Sequence, residues 1–277
     1  MRAYYDLQLK RLGDELTEMG ALIETSIDYA TDALLNKELH KVEKVRAYEK
    51  AIDQKEKDIE SLCIKLILHQ QPVAKDLRLI SAALKMITDM ERVGDHAEDI
   101  SEIAMLLADS EQTIEICHIK QMAKAAAKMV TAGVDAFVRG DVALAASVCE
   151  SDDVVDGLFN IVRGDLIDCI RKDAQKGAGA LDLFLAAKYY ERIGDHASDI
   201  AEIIPHLVTV RKEGDPAVSQ AIKMGQKAHK MILDALNALT SENEQAALRV
   251  IAADDEVDYD FNAIKHTLAQ ELSLIQI

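Results

Sequence analysis

The chain has 277 residues, and its 49 Asp and Glu against 32 Lys and Arg give a formal net charge of −17. This acidity argues against wrapping nucleic acid or docking directly on anionic lipid, because both need clustered basic residues. No run of about 18 apolar residues occurs, which excludes direct membrane insertion, and the 4% aromatic content beside 49% hydrophobic residues is typical of long packed helices.

The first 110 residues contain three predicted helices. Apolar residues recur at helical spacing over 3–36 and 38–69. Pro72 is suited to the first turn of a helix, so the third helix is predicted from near residue 72 to 109. Three such helices with short connections form an antiparallel bundle.

The same pattern is repeated over residues 111–213. Helices are predicted at 112–139, from Asp141 to about 172, and at 181–211, with Gly140 as a helix stop and Asp141 as an N-cap. A glycine-containing link is predicted at 177–179, and Pro205 is expected to kink or end the third helix.

The tail is a partial third repeat. Gly214, Asp215 and Pro216 form a break, an N-cap and a first-turn proline, and helices follow at 217–239 and 242–274. Ser241 and Glu244 have the spacing of a capping box. We therefore predict an all-α fold of two tandem antiparallel three-helix bundles plus two further helices, with domains 1–110, 111–213 and 214–277.

One motif occurs twice, one hundred positions apart: ERVGDHAEDISEI at 91–103 and ERIGDHASDIAEI at 191–203. In each copy three carboxylates at i, i+4 and i+8 stack along one helix face, about 6 Å apart. They are Glu91, Asp95, Asp99, Glu191, Asp195 and Asp199. Adjacent negative charges repel unless a cation compensates them, so the repeated stripe predicts a multivalent cation site.

A second acidic motif lies on the middle helix of each repeat. The pairs, four residues apart, are Glu49 and Asp53, Asp152 and Asp156, and Asp254 and Asp258. In a three-helix bundle the first two pairs can face the carboxylate stripe across a groove, which suits Mg²⁺, Mn²⁺, Fe or Ca²⁺. The third pair has no stripe in its own repeat, and we expect it to be a solvated helix face.

Residues around the stripe have more than one interpretation. Gly94 and Gly194 leave room either for a metal cluster or for a closely packed helix. Arg92 and Arg192 are expected to pair with acids on adjacent helices, or else to contact an anion bound to the metals. His96 and His196 are expected to contact a neighbouring carboxylate or to pack, rather than to ligate a metal.

The remaining sequence signals point to a non-enzymatic cytoplasmic protein. Four cysteines lack CxxC spacing and indicate a reducing compartment, and the N-terminal segment does not resemble a signal peptide. No nucleophile elbow, P-loop or Rossmann glycine pattern is present.

The repeated motif, with QPVAKDLRLISAALKM at 71–86 before its first copy, resembles the PhoU family of phosphate-signalling proteins. The opening segment, 1–35, and the segment GDVALAASVCESDDVVDGL at 140–158 are also similar to that family. The resemblance covers residues 1 to about 211. It implies two pseudo-symmetric three-helix bundles and multinuclear metal clusters held by E(D)xxxD motifs. It also implies non-catalytic dampening of the phosphate-starvation response at a phosphate ABC transporter and its sensor kinase.

Carried over by position, the resemblance implies two sets of metal ligands. They are Glu49, Asp53, Glu91, Asp95 and Asp99 in the first bundle, and Asp152, Asp156, Glu191, Asp195 and Asp199 in the second. The expected metals are Fe, Zn or Mn, with Mg or Ca as alternatives, and Arg92, Arg192, His96 and His196 are candidates for an anion contact or for supporting the ligands. Family members often have Asn at the positions of Asp99 and Asp199.

The resemblance also sets the expected partners and their alternatives. The transporter ATPase and a phosphate-sensing histidine kinase are the expected partners, at the cytoplasmic side of the inner membrane, and we expect a homo-oligomer. The tail from residue 214 departs from the two-bundle pattern. A helical metal-storage or metal-sensing protein, and a cytoplasmic accessory segment of a phosphate cotransporter, are the alternative functions.

Overall fold

A computed structural model describes residues 2–70, 74–108, 114, 117–208, 216–241 and 243–275. Within these residues the regular structure is helical. The helices are α1 (Arg2–Asn36), α2 (Val42–Gln70), α3 (Ala74–Ala108), α4 (Cys117–Arg139), α5 (Val142–Lys172), α6 (Gly177–Val208), α7 (Pro216–Thr240) and α8 (Glu244–Ile275). The predicted all-α class, with two three-helix repeats and a two-helix third repeat, is confirmed.

The chain divides into two compact units, Met1–Thr209 and Val210–Ile277. In the first unit α1, α2 and α3 pack against one another, and so do α4, α5 and α6. The two bundles join where α3 packs along α6 and α1 along α4. Tyr190 of α6 is fully buried at this junction, and its hydroxyl lies 2.7 Å from the hydroxyl of Thr31 on α1.

In the second unit α7 and α8 pack against each other, and Lys227 of α7 donates to Asp260 of α8 at 2.8 Å. Among the described side chains of this unit, Ala238 is the one hydrophobic residue that is buried. Large apolar side chains on both helices remain exposed, including Ile222, Leu236, Leu239, Leu248, Ile251 and Phe261. A helix pair covers one side of each helix only, whereas each bundle of the first unit has a third helix to cover the other.

The break between α4 and α5 follows the prediction closely. Gly140 has a positive φ of 64°, and its N–H donates to the carbonyl of Phe137 at 3.1 Å. The Asp141 N–H reaches back to the carbonyl of Ala136 at 2.9 Å, which completes a Schellman motif. The Asp141 side chain then accepts from the N–H of Leu144 at 3.0 Å and caps α5.

Two local predictions are wrong, and a third stays open. The predicted link at 177–179 is the first turn of α6, and the connection is instead a 3-10 turn at Ala174–Lys176. Helix α6 includes Pro205 and continues to Val208, and the residues directly after Val208 are outside the described ones, so the kink or end expected at Pro205 stays a prediction. The cap of α8 is Asn243, which accepts from the N–H of Ala246, whereas Ser241 donates to the carbonyl of Asn237 at the end of α7.

Several predicted boundary residues, namely Pro72, Gly214, Asp215 and Glu242, lie outside the described residues. Pro216 begins α7, in agreement with its predicted first-turn position. None of the helices in the described ranges combines the length and the apolar character needed to cross a membrane.

Gly94 allows α3 to approach α2 closely. A Cβ at this position would lie 3.1 Å from Cδ1 and 3.2 Å from Cγ2 of Ile52, which is itself buried in the core. Glycine in a helix interior costs roughly 1 kcal/mol relative to alanine, so the close approach has to offset that cost. Of the two interpretations of Gly94, the structure supports helix packing.

Replacing Gly94 by alanine tests this contact. We expect Gly94→Ala to lower the free energy of unfolding by about 1 kcal/mol, because overpacking a fixed neighbour outweighs the gain in helix propensity. The matched control is Gly157→Ala in α5, where an added Cβ has no neighbour within 4 Å. That variant should raise the free energy of unfolding by about 0.5–1 kcal/mol. Equal stabilisation of the two variants in denaturant titrations would contradict close packing at Gly94.

Candidate metal centres

The contact between α2 and α3 brings three of the predicted acids together. Glu49 and Asp53 of α2 and Asp95 of α3 offer carboxylate oxygens that all lie within 4.8 Å of one another. All three side chains are partly buried. We call these three residues the first centre. The packing of α2 against α3 therefore places the α2 pair opposite Asp95 of the α3 stripe, as predicted.

The first centre is electrostatically unfavourable for carboxylates. Burial, and then the charge of Asp53, raises the pKa of Glu49 above its ordinary value. Burial also raises the pKa of Asp95, where Arg92 acts in the opposite direction. Glu91 lies outside the three-residue group, but burial and the charge of Asp95 raise its pKa as well. These shifts indicate concentrated negative charge that local basic residues do not fully compensate.

At the corresponding contact between α5 and α6, four acids interact electrostatically, although no three of them are grouped within 4.8 Å as in the first centre; we call these four the second centre. Its members are Asp152, Asp156, Glu191 and Asp195. Burial raises the pKa of Asp152 to about 6, and the charges of Asp195 and Asp156 add to this effect. The pKa of Asp195 is also raised, first by burial and then by Glu191.

Asp152 has a buried oxygen without a hydrogen-bond partner. This atom, Oδ1, would lie 3.1 Å from a Cβ added at Gly194, and Cγ1 of Val155 would lie 3.3 Å from the same Cβ. Gly194 therefore makes room both for the neighbouring helix and for a carboxylate at the second centre. An unpaired buried carboxylate oxygen costs free energy unless a proton or a cation satisfies it, so the residues present fit a metal ion.

Basic residues compensate the two centres differently. Arg92 contacts Asp95 at 3.2 Å and Glu91 at 3.6 Å. It therefore pairs with acids of its own helix, whereas the sequence had led us to expect acids on an adjacent helix. Lys188 forms an ion pair with Glu191 of the second centre. The guanidinium of Arg192 instead lies 5.9 Å from the ring centroid of Tyr189.

The last acid of each stripe turns away from these centres. Four residues of α-helix exceed one turn by about 40°, so a residue eight positions along is rotated by about 80°. Asp99 lies 3.4 Å from Nδ1 of His96, and the structure groups Asp199 with Asp89 and His196, not with Asp152. Asp99 and Asp199 thus have other close neighbours in the structure, and their implied place in the two ligand sets stays a prediction.

Both histidines contact carboxylates, as predicted. Nδ1 of His196 lies 3.1 Å from Oδ1 of Asp89 across the contact between α3 and α6. The rings of His96 and His196 stack with centroids 5.6 Å apart. Asp254 and Asp258 of the tail are exposed, in agreement with a solvated face.

Sequence reasoning missed Asp89. It precedes His96 by seven residues, or two helical turns, which is a detectable signal for a shared helix face. Comparison of the repeats hides it, because the equivalent position in the second copy is Tyr189. Glu98 was also missed, although its charge helps to raise the pKa of Glu49.

Comparison with known proteins matches this architecture. The PhoU domain model matches residues 16–104, 119–204 and 221–276. The chain is 32% identical over 208 residues to the phosphate-specific transport system accessory protein PhoU homolog of Pseudomonas aeruginosa, covering 74% of this chain and 85% of that protein. Its identity to the Aquifex aeolicus homolog of the same description is 36% over 185 residues, covering 67% and 84%.

Solved structures show the same relationship. The crystal structure of PhoU from Pseudomonas aeruginosa superposes with a TM-score of 0.70 at 31% sequence identity, covering 74% of this chain and 98% of that one. The phosphate transport system regulatory protein PhoU from Streptococcus pneumoniae gives a TM-score of 0.69 at 25% identity, covering 74% and 97%. With the family model matched in all three repeats, the chain belongs to the PhoU family.

Proposed function

We propose that this chain is a non-enzymatic regulator of phosphate transport and phosphate-starvation signalling that binds multinuclear metal clusters on its acidic helix faces. It acts through the ATPase of a phosphate ABC transporter and a phosphate-sensing histidine kinase, in the bacterial cytoplasm at the inner membrane. The observation that carries the proposal is the convergence of Glu49, Asp53 and Asp95 between α2 and α3, with the raised pKa and unpaired buried oxygen of Asp152 at the equivalent contact of the second repeat.

The donor atoms support metal binding. Glu49, Asp53 and Asp95 converge, and only Asp95 and Asp53 have a basic ion-pair partner in the described residues, namely Arg92 at 3.2 Å and Lys57 at 3.8 Å. Asp152 keeps an unpaired buried oxygen. Carboxylate oxygens suit Mg²⁺, Ca²⁺ and Mn²⁺ and are also common ligands of Fe and Zn. Fe, Zn or Mn is the proposed cluster metal. A bound cation would offset the repulsion between carboxylates that helps to raise the pKa values of Glu49 and Asp152.

The regulatory role rests on the relatives. Those of Pseudomonas aeruginosa and Aquifex aeolicus are described as accessory proteins of a phosphate-specific transport system, and the Streptococcus pneumoniae protein as regulatory. The apolar faces of α7 and α8 add an exposed surface that suits protein contacts, either with a partner or within a homo-oligomer. A protein that only stores metal would use the same centres but would not affect phosphate signalling.

Elemental analysis tests the clusters. Full-length protein prepared with Fe, Zn and Mn present should retain several ions per chain, and Asp95→Asn/Asp195→Asn should lose most of them while its helical circular dichroism persists. Each substitution removes one negative ligand from one centre at almost unchanged size. The matched control is Asp254→Asn/Asp258→Asn, which changes the same spacing on the tail. Equal metal content in all three proteins would contradict the assignment of the centres.

The stability of the metal-free protein should depend on Asp152. Its pKa is about 6 in the folded protein and lies near its ordinary value of 3.8 when unfolded. The folded state therefore binds the proton of Asp152 more tightly than the unfolded state does. The resulting stabilisation of the fold is fully present below about pH 4 and is lost as pH rises through 6. In EDTA-treated protein, we expect Asp152→Asn to reduce the fall in unfolding free energy between pH 4 and 6.5, measured by urea titration. An unchanged pH profile would contradict the raised pKa.

A cellular assay separates regulation from storage. In a bacterium that lacks its own PhoU regulator, expression of this chain should lower the activity of a phosphate-starvation reporter in phosphate-rich medium. Asp95→Asn/Asp195→Asn should lose this effect and Asp254→Asn/Asp258→Asn should keep it, at equal protein levels. A reporter that stays high with metal-loaded wild-type protein would leave metal storage as the better description.

A further inference from the structure

A third group of metal-ligand side chains lies between the two bundles, away from both carboxylate centres. Asp89 comes from α3, and His196 and Asp199 come from α6. One ligand atom from each of the three lies within 4.8 Å of the other two. We call this group the interbundle site. Unlike the two centres, it includes an imidazole nitrogen and takes its acids from equivalent helices of different repeats.

We propose that Asp89, His196 and Asp199 bind a single divalent transition-metal ion that links α3 to α6. Imidazole favours Zn²⁺, Fe²⁺ and similar ions over Mg²⁺ and Ca²⁺, and the two carboxylates neutralise the ion's charge. Zn²⁺ is the probe that suits this donor set best.

The spacing of the donors fits one ion. Two ligands bound at roughly 2.0–2.2 Å with an angle of roughly 90–110° lie roughly 2.8–3.6 Å apart. Nδ1 of His196 and Oδ1 of Asp89 are already 3.1 Å apart. An ion bound here would replace the hydrogen bond between these two atoms, and Asp199, whose ligand atom lies within 4.8 Å of both, would complete the set.

The charge at the interbundle site is uncompensated by basic side chains. In the part of the chain that the structure describes, neither Asp89 nor Asp199 forms an ion pair with a Lys or an Arg. The side chains of Asp89 and His196 are 15% and 24% exposed, and Asp199 is exposed. The ring of His196 is held on its other face by His96, with centroids 5.6 Å apart. The site is thus pre-arranged on its inner side and open to an entering ion on its outer side.

The symmetry-related counterpart of the interbundle site lacks one ligand. His96 and Asp99 correspond to His196 and Asp199, but Tyr189 replaces Asp89. Burial, followed by the charge of Asp99, raises the pKa of the Tyr189 phenol, and the phenol forms a hydrogen bond with Asp99. A protonated phenol is a poor ligand, so the pseudo-symmetric pair yields one metal site and one hydrogen-bonded pair.

Nitrogen-15 NMR of the histidine rings separates this site from the carboxylate centres. Full-length protein labelled at histidine nitrogen, in the Asp95→Asn/Asp195→Asn background and in phosphate-free buffer, is titrated with Zn²⁺. One equivalent should shift the ring nitrogen of His196 to a metal-bound value. His118 is the matched control, because it lies 2.8 Å from a single carboxylate, that of Asp165.

The outcomes decide the proposal independently of the proposed function. Asp89→Asn should weaken zinc binding at His196 about tenfold or more, and His196→Gln should lower the zinc stoichiometry by one. The two variants give independent readouts if either folds poorly. The site is refuted if His196 keeps its free resonance at saturating zinc, or if His118 shifts in parallel with it. Since the background weakens both centres and the readout is a resonance of His196 itself, failure of the clusters leaves this result unaffected.

Discussion

Where the second helix of each bundle meets the third, carboxylates of the same charge are held in contact, and much of the structure depends on that repulsion being offset. Ile52 and Val155, each one residue before an acid of the α2 or α5 pair, are buried in the core and fix those helices against Gly94 and Gly194. The burial of the apolar faces thus forces the acids together. Arg92 and Lys188 each pair with acids of one centre, and a proton or a bound cation would offset the charge that remains.

The two centres occupy equivalent positions in the two repeats but differ in how their carboxylates are paired. Glu49 in the first repeat corresponds to the shorter Asp152 in the second. The shorter side chain keeps its carboxylate near the backbone beside Gly194, where one oxygen is buried without a partner. In the first centre Arg92 reaches Asp95, whereas no such contact is made with Asp152 in the described residues. Because Lys188 pairs with Glu191, each centre has a basic partner, and the second differs chiefly in the unpaired buried oxygen of Asp152.

Local sequence signals predicted the fold well wherever one signal acted alone. Gly140 and Asp141 supply both a left-handed residue and a cap, and the helix ends there. Ser241 failed as a cap because Asn243, two residues later, competes for the same role and wins. The carboxylate centres were predictable because four-residue spacing fixes a helix face. Asp89 was harder to predict. Its spacing from His96 indicates a shared face of α3, but its partner His196 lies on α6, and the sequence does not show how the two helices pack.

The helices that carry the centres also carry the interbundle site, which ties the two kinds of site together mechanically. Asp195 and His196 are adjacent on α6 and differ by about 100° around its axis, so one faces α5 and the other faces α3. On α3, Asp89 and Asp95 are separated by about 9 Å along the axis. An ion bound at a carboxylate centre or at the interbundle site would restrict the rotation of a helix whose other face lines the other of the two sites.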